Sequence, residues 1–462
     1  MRGYIASSIG VTCATVLSLS IPLPAAAAGP GVHRPSVVRP LTEAVPGSTQ
    51  SLPLVPLNPD RVAGTASEAG LAPQSVRSFS LVGVVWDDPG TELYGHVQIR
   101  TRASGTDQWS DWQEVETHNQ GHGPDPASDE GRSYRMRGST APLWVGESDG
   151  VEVRVRAEAD HTGGTRAPTL PDGLRVELVD PGAEPPSDVG APSSQDDSVQ
   201  RSEEGAYASE TGAGAIASAV GAGLAPLNAA VLPALSKEAA KDVAAKQTGN
   251  VLGGLPVGAQ PYVAPRPSII TRSGWGADES LREAGFVYTG SVKAAFVHHT
   301  ASGNNYTCSQ APSVIRSIYR YHVVSSGWRD IGYNFLIDKC GNIYEGRAGG
   351  VDKPVMGAHT LGFNTNSTGI AVLGTYTSTE PSAAAVNAVA ALTAWKFGLS
   401  GIDPRGTTYL TSGGGNLYPK GVNVRLNVIS GHRDGFATEC PGKLLYGKLG
   451  SARSTAARLQ GR

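Results

Sequence analysis

The chain has 462 residues, with 41 acidic and 38 basic side chains and a formal net charge of −3 at pH 7. A chain of this length is expected to form two domains joined by connecting segments. Its nearly balanced charge argues against the broadly basic surface of nucleic-acid-binding proteins, so we expect no nucleic acid partner.

Residues 1–28 have the pattern of a secretory signal. Arg2 precedes an apolar stretch over residues 4–23, and the alanines at 25–28 supply a small-residue cleavage site. The alternative is a membrane anchor, but serine and threonine interrupt the stretch. No later stretch has the roughly 18 apolar residues that a spanning helix needs. We therefore expect an exported protein whose mature chain has no transmembrane segment.

Residues 29–75 form a segment rich in proline, serine and threonine, which we expect to be extended. Residues 76–180 differ, because short strand-like runs alternate with turn residues; the runs cover 78–86, 94–102, 109–116, 143–145, 151–156 and 173–178. This pattern predicts a β-sandwich-like accessory domain. Trp109 and Trp112 could stack on sugar rings, but packing in the sheet is favoured because aromatic side chains prefer strands.

Residues 181–265 are a low-complexity tract of Pro, Ser, Gly, Ala, Asp and Glu, which we interpret as a long linker. A short helix over 234–246 is compatible with the alanine and lysine content there. Residues 266–462 form the second domain. Strands are predicted at 296–297, 331–337, 342–345 and 368–374, and helices at 311–324, 382–397 and 444–459. Such a mixture predicts an α/β domain with a central mixed sheet flanked by helices.

Two segments of this domain carry candidate metal ligands. His432 and Cys440 lie eight positions apart across a glycine-containing loop that follows a strand-like run. His298 and His299 end an apolar run, and neighbouring strand residues face opposite sides, so only one can enter a given site. We assign that place to His298 and leave His299 as a packed residue. Two imidazoles, one thiolate and a water would form a catalytic Zn²⁺ site.

Several short motifs share one order along the domain. They are SGWGA at 273–277, VHHT at 297–300, DIGYNF at 330–335, YEGR at 344–347, GAH at 357–359, NSTGI at 366–370 and the segment 432–441. From about residue 269 onward, the chain resembles the zinc-dependent N-acetylmuramoyl-L-alanine amidase (type 2) family, which includes phage amidases and the peptidoglycan recognition proteins. The resemblance covers under half of the chain, and the family's α/β fold agrees with the predicted elements.

The resemblance implies roles for further residues. Tyr333 would orient or deprotonate a zinc-bound water, and Thr438 would hydrogen-bond the developing oxyanion. His359 matches a family position and, together with Asn364, could line a substrate groove. Arg347 could contact a peptide carboxylate or instead form a surface ion pair.

The cysteine count bears on the same site. Cys13 would leave with the signal, and three pairings are conceivable among the remaining Cys308, Cys340 and Cys440. If Cys440 binds zinc as a thiolate, the disulfide is Cys308–Cys340. Closing that loop would contribute roughly 3–4 kcal/mol in the chain-entropy model.

Two functions are compatible with the resemblance. The first is a zinc amidase that cleaves the amide bond between N-acetylmuramic acid and L-alanine in peptidoglycan. The second is a recognition protein that binds peptidoglycan without cleaving it. The complete set of His298, His432, Cys440, Tyr333 and Thr438 favours the enzyme. We expect a secreted, wall-associated protein whose accessory domain binds the wall or acts as a spacer.

Overall fold

The computed structural model describes residues 46–57, 67–158, 169–183, 229–251 and 262–462. The signal predicted at 1–28 lies outside these residues, as do most of the Pro/Ser-rich segment and residues 184–228 of the predicted linker. The described parts of both folded domains belong to one compact unit.

The accessory domain is an antiparallel β structure. Its strands are β1 (Ser48–Pro53), β2 (Val55–Pro56), β3 (Glu68–Trp86), β4 (Gly95–Ala103), β5 (Gln113–Val115), β6 (Gly138–Ser139), β7 (Leu143–Ala157) and β8 (Arg175–Asp180). They form an eight-stranded sheet in the order β1-β8-β3-β7-β4-β5, with β2 and β6 paired to β3. The prediction of a β-sandwich-like domain is confirmed.

The accessory domain begins earlier than the sequence patterns indicated. Strand β1 pairs with β8 over all six of its residues, and β3 starts at Glu68, so both enter the segment predicted to be extended. The β1 side chains are mostly half-buried. Backbone hydrogen bonds hold β1 at the edge of the sheet, and they do not require alternating apolar side chains. The sequence of β1 therefore has no period-two pattern from which a strand could be predicted.

The second domain contains a mixed sheet with helices. Its strands are β9 (Val231–Leu232), β10 (Ile269–Ile270), β11 (Ala294–His299), β12 (Phe335–Ile337), β13 (Ile343–Glu345), β14 (Ser367–Val372), β15 (Thr407–Thr411), β16 (Asn423–Asn427) and β17 (Ile429–Gly431). Its helices are α1 (Lys237–Val251), α2 (Ala311–Arg320), α3 (Ala383–Gly398) and α4 (Lys443–Gln460). The sheet order is β17-β11-β14-β12-β13-β10-β9, and β15 and β16 form a separate hairpin. The predicted α/β domain with a mixed sheet is confirmed.

Part of the predicted linker belongs to this domain. Strand β9 extends the sheet beside β10, and Leu232 and Leu235 are buried in the same core as Ala240 and Ala244 of α1. These few apolar residues are spread through a low-complexity tract. Their pattern was therefore too sparse to predict burial, although a helix in this region was expected.

Helix α2 lies between the two sheets. Its Val314, Ile315 and Ile318 share one buried cluster with Leu336 of the α/β sheet and Leu81 of the accessory sheet. The opposite face of the α/β sheet packs against α1, α3 and α4. The two domains therefore share a continuous apolar core.

Polar contacts follow the same interface. The Tyr321 hydroxyl lies 3.3 Å from the Val84 carbonyl oxygen and 3.2 Å from that of Thr140. Ser325 Oγ donates to Glu177 Oε2 at 3.0 Å. The accessory domain therefore buries side chains in the core of its neighbour, and its role as a wall-binding module or a spacer stays a prediction. None of the helices in the described ranges is both long enough and apolar enough to cross a membrane.

We expect Leu81→Ala to lower the free energy of unfolding by about 2–5 kcal/mol, because it opens a cavity in the shared core. Leu57→Ala is the matched control, since Leu57 is 46% exposed whereas Leu81 is fully buried. Urea unfolding followed by tryptophan fluorescence measures both changes. Equal destabilisation by the two variants would contradict a shared core at Leu81.

Candidate metal centre

Strand pairing brings two of the predicted ligands together. Strand β11 pairs in parallel with β17, with Val297 opposite Gly431, so both strands end at the same edge of the sheet. His298 is the next residue after Val297, and His432 opens a short turn directly after β17. Polar groups at the carboxyl ends of parallel strands meet in this way.

The loop after His432 folds back to deliver the sulfur. The Arg433 amide donates to the Cys440 carbonyl at 3.0 Å. Asp434 holds the start of the loop, because its carboxylate accepts from the Gly431 amide at 2.9 Å and from the Tyr446 hydroxyl at 2.6 Å. As a result, Cys440 Sγ lies 3.7 Å from His298 Nδ1.

A fourth candidate ligand comes from the accessory domain. His122 belongs to the loop between β5 and β6, and its Nε2 lies 3.3 Å from His298 Nδ1. The potential ligand atoms of His122, His298, His432 and Cys440 all lie within 4.8 Å of one another. His122 had no sequence signal beyond its position between two glycines in a turn-rich stretch, which indicates a loop but no ligand.

Two of the separations in this cluster match those around a zinc ion. With Zn–N bonds of about 2.0–2.1 Å and a Zn–S bond of about 2.3 Å, tetrahedral geometry separates two nitrogens by about 3.3 Å and a nitrogen from sulfur by about 3.6 Å. The observed separations are 3.3 Å for His122 to His298 and 3.7 Å for His298 to Cys440.

The protonation states also fit a cation. His432 Nε2 donates to the Gly121 carbonyl at 3.0 Å, which leaves Nδ1 with its lone pair. That Nδ1 is buried and has no hydrogen-bond partner within the part of the chain that the structure describes. Burial lowers the pKa of His298 and His432 well below the usual value and keeps both rings neutral. Burial raises the pKa of the Cys440 thiol, so a thiolate here requires a nearby positive charge.

The two neighbouring histidines of β11 face opposite sides, as the strand period requires. His299 Nδ1 accepts from the Tyr376 amide at 3.2 Å and lies outside the four-residue cluster. His359 lies behind His298, with its Nδ1 3.2 Å from His298 Nε2 and its own Nε2 3.3 Å from Ser367 Oγ. His359 is fully buried, and this position suits it to orient His298 rather than to contact substrate.

Tyr333 and Thr438 flank the cluster. The Tyr333 ring centroid lies 5.5 Å from that of His298, and burial raises the pKa of its phenol. Thr438 Oγ1 accepts from the Cys440 amide at 3.2 Å. A disulfide joins Cys308 and Cys340, and Cys440 is the free cysteine among the described residues.

The two remaining predicted groove residues contact the accessory domain. Arg347 forms two hydrogen bonds with the carboxylate of Glu130, at 2.8 and 2.9 Å. Asn364 Nδ2 donates to the Gly123 carbonyl and to Asp125 Oδ1, each at 2.9 Å. Neither side chain is open to solvent. Trp109 and Trp112 are half-buried, and arginine guanidinium groups lie over both rings.

Comparison with known proteins matches both domains to described families. Residues 34–173 match a family described as Rv3811 N-terminal galactose-binding domain-like, and residues 288–443 match the N-acetylmuramoyl-L-alanine amidase family. The chain is 34% identical to peptidoglycan-recognition protein SC2 of Drosophila melanogaster over 184 residues, covering 39% of this chain and 84% of that protein. It is 33% identical to a human N-acetylmuramoyl-L-alanine amidase over 158 residues, covering 33% of this chain and 23% of that protein. The solved structure of Drosophila PGRP-LB aligns with a TM-score of 0.32 and 27% identity, covering 40% of this chain and 92% of that one.

We expect His298→Ala to lower the zinc affinity of the purified chain by at least about tenfold, because a direct ligand contributes no less than an outer-shell partner. His299→Ala is the matched control on the opposite face of the same strand and is expected to retain zinc. Competition with a chromophoric chelator measures both affinities. Equal loss of zinc in the two variants would contradict the assignment of the cluster.

Proposed function

Because the chain belongs to the N-acetylmuramoyl-L-alanine amidase family, which includes the peptidoglycan-recognition proteins, we propose that it is a zinc-dependent peptidoglycan amidase. The bond cleaved is the amide between N-acetylmuramic acid and L-alanine of the stem peptide. The observation that carries the proposal is the convergence of His298, His432 and Cys440 beside Tyr333.

Zinc held by these side chains would supply Lewis-acid chemistry, which polarises a carbonyl group and acidifies water. The chain itself positions the reacting groups. His359 fixes the ring of His298 so that Nδ1 points into the cluster. Neutral imidazoles donate lone pairs, whereas the Cys440 sulfur contributes the negative charge that partly offsets the cation.

Tyr333 acts as a hydrogen-bond donor in this proposal. Its raised pKa keeps the phenol protonated near neutral pH, so the hydroxyl is suited to orient an attacking water or to stabilise developing negative charge. Thr438 contributes a second hydroxyl. Its oxygen already accepts from the Cys440 amide, which leaves its proton available for the oxyanion.

The second candidate function is recognition of peptidoglycan without hydrolysis. The relatives of this chain include proteins named for peptidoglycan recognition as well as a protein named as an amidase. Family membership therefore supports binding of peptidoglycan more strongly than it supports cleavage. A binding protein would need the groove but neither a metal ligand set nor Tyr333. The presence of both supports the enzyme.

We further propose that the protein is exported and acts at the cell wall.

We expect the zinc-loaded chain to release new amino-terminal L-alanine from purified peptidoglycan, with no change in reducing sugar ends. A chelator abolishes the release, and Cys440→Ala lowers it by at least about a hundredfold, since a ligand is lost. Labelling of free amino termini followed by mass spectrometry identifies the bond. Binding of peptidoglycan with no release by the zinc-loaded chain would favour recognition alone.

We expect Tyr333→Phe to lower kcat by about 10²–10⁴-fold with a much smaller change in KM, because the hydroxyl acts on the transition state rather than on binding. Tyr409→Phe is the matched control, since Tyr409 is 61% exposed on the β15–β16 hairpin. A zinc assay on both variants separates loss of chemistry from loss of metal. An unchanged kcat in the zinc-loaded Tyr333 variant would remove this residue from the mechanism.

A further inference from the structure

One loop of the accessory domain contacts the metal cluster as well as Asn364 and Arg347. Residues 119–131, here called the 119–131 loop, form the part of the connection between β5 and β6 that contacts the α/β domain. His122 of this loop belongs to the metal cluster. Gly121 and Asp125 accept hydrogen bonds from backbone amides of the α/β domain, and Glu130 pairs with Arg347.

The close approach of the loop depends on Gly121. Its carbonyl accepts from His432 Nε2 at 3.0 Å and from the Leu361 amide at 2.9 Å. A Cβ atom at this position would lie 2.9 Å from His432 Nε2 and 2.6 Å from the Phe436 ring. Only glycine therefore lets the backbone of the loop approach the His432 ring this closely. The contact places the next residue, His122, beside His298.

The loop also provides hydrogen-bond partners for polar groups of the predicted substrate groove. Asp125 Oδ1 accepts from the Gly362 amide at 2.6 Å as well as from Asn364. At the far end, Glu130 and Arg347 form a bidentate ion pair in which the side chains are 3% and 4% exposed. Charges removed from water this completely each need a partner. Glu130 and Asp125 therefore pair with polar groups of the α/β domain at two separate points along the loop.

The interface behind the loop keeps it in place. The Tyr321 hydroxyl donates to the carbonyl oxygens of Val84 and Thr140, which lie on either side of the loop in sequence, and the Trp144 amide donates to the Ser302 carbonyl at 3.0 Å. The Arg137 amide donates to the Ser326 carbonyl at 3.1 Å, just beyond the end of the loop. Both ends of the loop are therefore anchored to the α/β domain.

We propose that His122 is a fourth protein ligand of the metal, and that the 119–131 loop is an internal occupant of the substrate groove. The inference rests on the proposed function, because it assigns the same metal centre. Structural zinc sites have four protein ligands, whereas catalytic sites keep one position open. The docked chain thus has a closed site and is a latent enzyme, which becomes active when the loop leaves.

The chemistry of the loop explains how it would compete with substrate. The Glu130 carboxylate occupies Arg347, which is the group available to an acidic stem peptide, and His122 occupies the position that water needs. A competitor that belongs to the same chain does not diffuse away when it dissociates, so a short soluble fragment competes with it poorly. The class of ligand that displaces the loop is therefore polymeric peptidoglycan, which offers many muramyl peptides at one surface.

The metal test uses the full chain loaded with Co²⁺, and azide as a probe of an open coordination position. The visible spectrum of the wild-type Co²⁺ chain should not change with azide. His122→Ala should give an azide-dependent spectrum and should weaken Zn²⁺ binding by at least about tenfold. His96→Ala is the matched control, because His96 is an exposed histidine of the same domain that pairs with Glu114 and Glu158; it should behave as wild type.

The groove test uses a soluble muramyl tripeptide with saturating zinc. His122→Ala and Glu130→Gln release opposite ends of the loop, and each should raise kcat/KM by at least about tenfold over wild type and His96→Ala. Calorimetric titration of the metal-free chain with the same peptide should show tighter binding in Glu130→Gln, a readout that requires no chemistry.

The outcomes separate the two proposals. Azide-insensitive spectra in both wild type and His122→Ala, with no gain in kcat/KM or peptide affinity in either loop variant, would overturn the latent form. Azide sensitivity of the wild-type Co²⁺ chain would overturn it as well. Absence of hydrolysis in every form, together with azide sensitivity in His122→Ala alone, would overturn the amidase while supporting His122 as a ligand.

Discussion

The parallel pairing of β11 with β17 is the constraint on which the site depends. It places His298 and His432 at one edge of the sheet, and neither position can shift by one residue without turning a histidine into the core. The single 3-10 turn after β17 and the return of the chain to Cys440 then complete three ligands without a contribution from any of the helices α1 to α4. A sheet edge is rigid, which suits a centre whose ligand atoms must hold their spacing.

The accessory domain adds a further potential ligand, His122, at that edge of the sheet. Its sheet shares a core with α2, so its loop approaches the metal ligands from a fixed direction. A domain on a flexible tether would contact the groove only part of the time. Burial of Leu81, Val85 and Val179 against α2 makes the contact a feature of the fold, and the two domains then form one site with residues from both.

Local patterns account for what could be predicted from the sequence. The apolar run before His298 and the strand before His432 identified the strand ends, and period-two alternation separated His298 from His299. His122 had no such signal, because it lies 176 residues from His298 in a loop without periodicity. Its place depends on the docking of two domains, as does the pairing of Arg347 with Glu130. Strand β9 was missed for a related reason: two residues in a low-complexity tract pair with a sheet that forms elsewhere.

Loop docking and metal binding are coupled, and the coupling has a definite sign. If His122 binds the ion, the docked loop raises metal affinity, and by reciprocity the metal raises the stability of the docked loop by the same factor. The buried ion pair of Glu130 and Arg347 adds little net free energy, because desolvation of both charges offsets much of their attraction. In the proposed latent form, the ion pair would fix the position of the loop, whereas a bound metal would supply most of the stability of the docked loop. If the proposed latent enzyme binds zinc, such a division would let the chain hold its metal before activation and still release the loop, because His298, His432 and Cys440 would remain as ligands without His122.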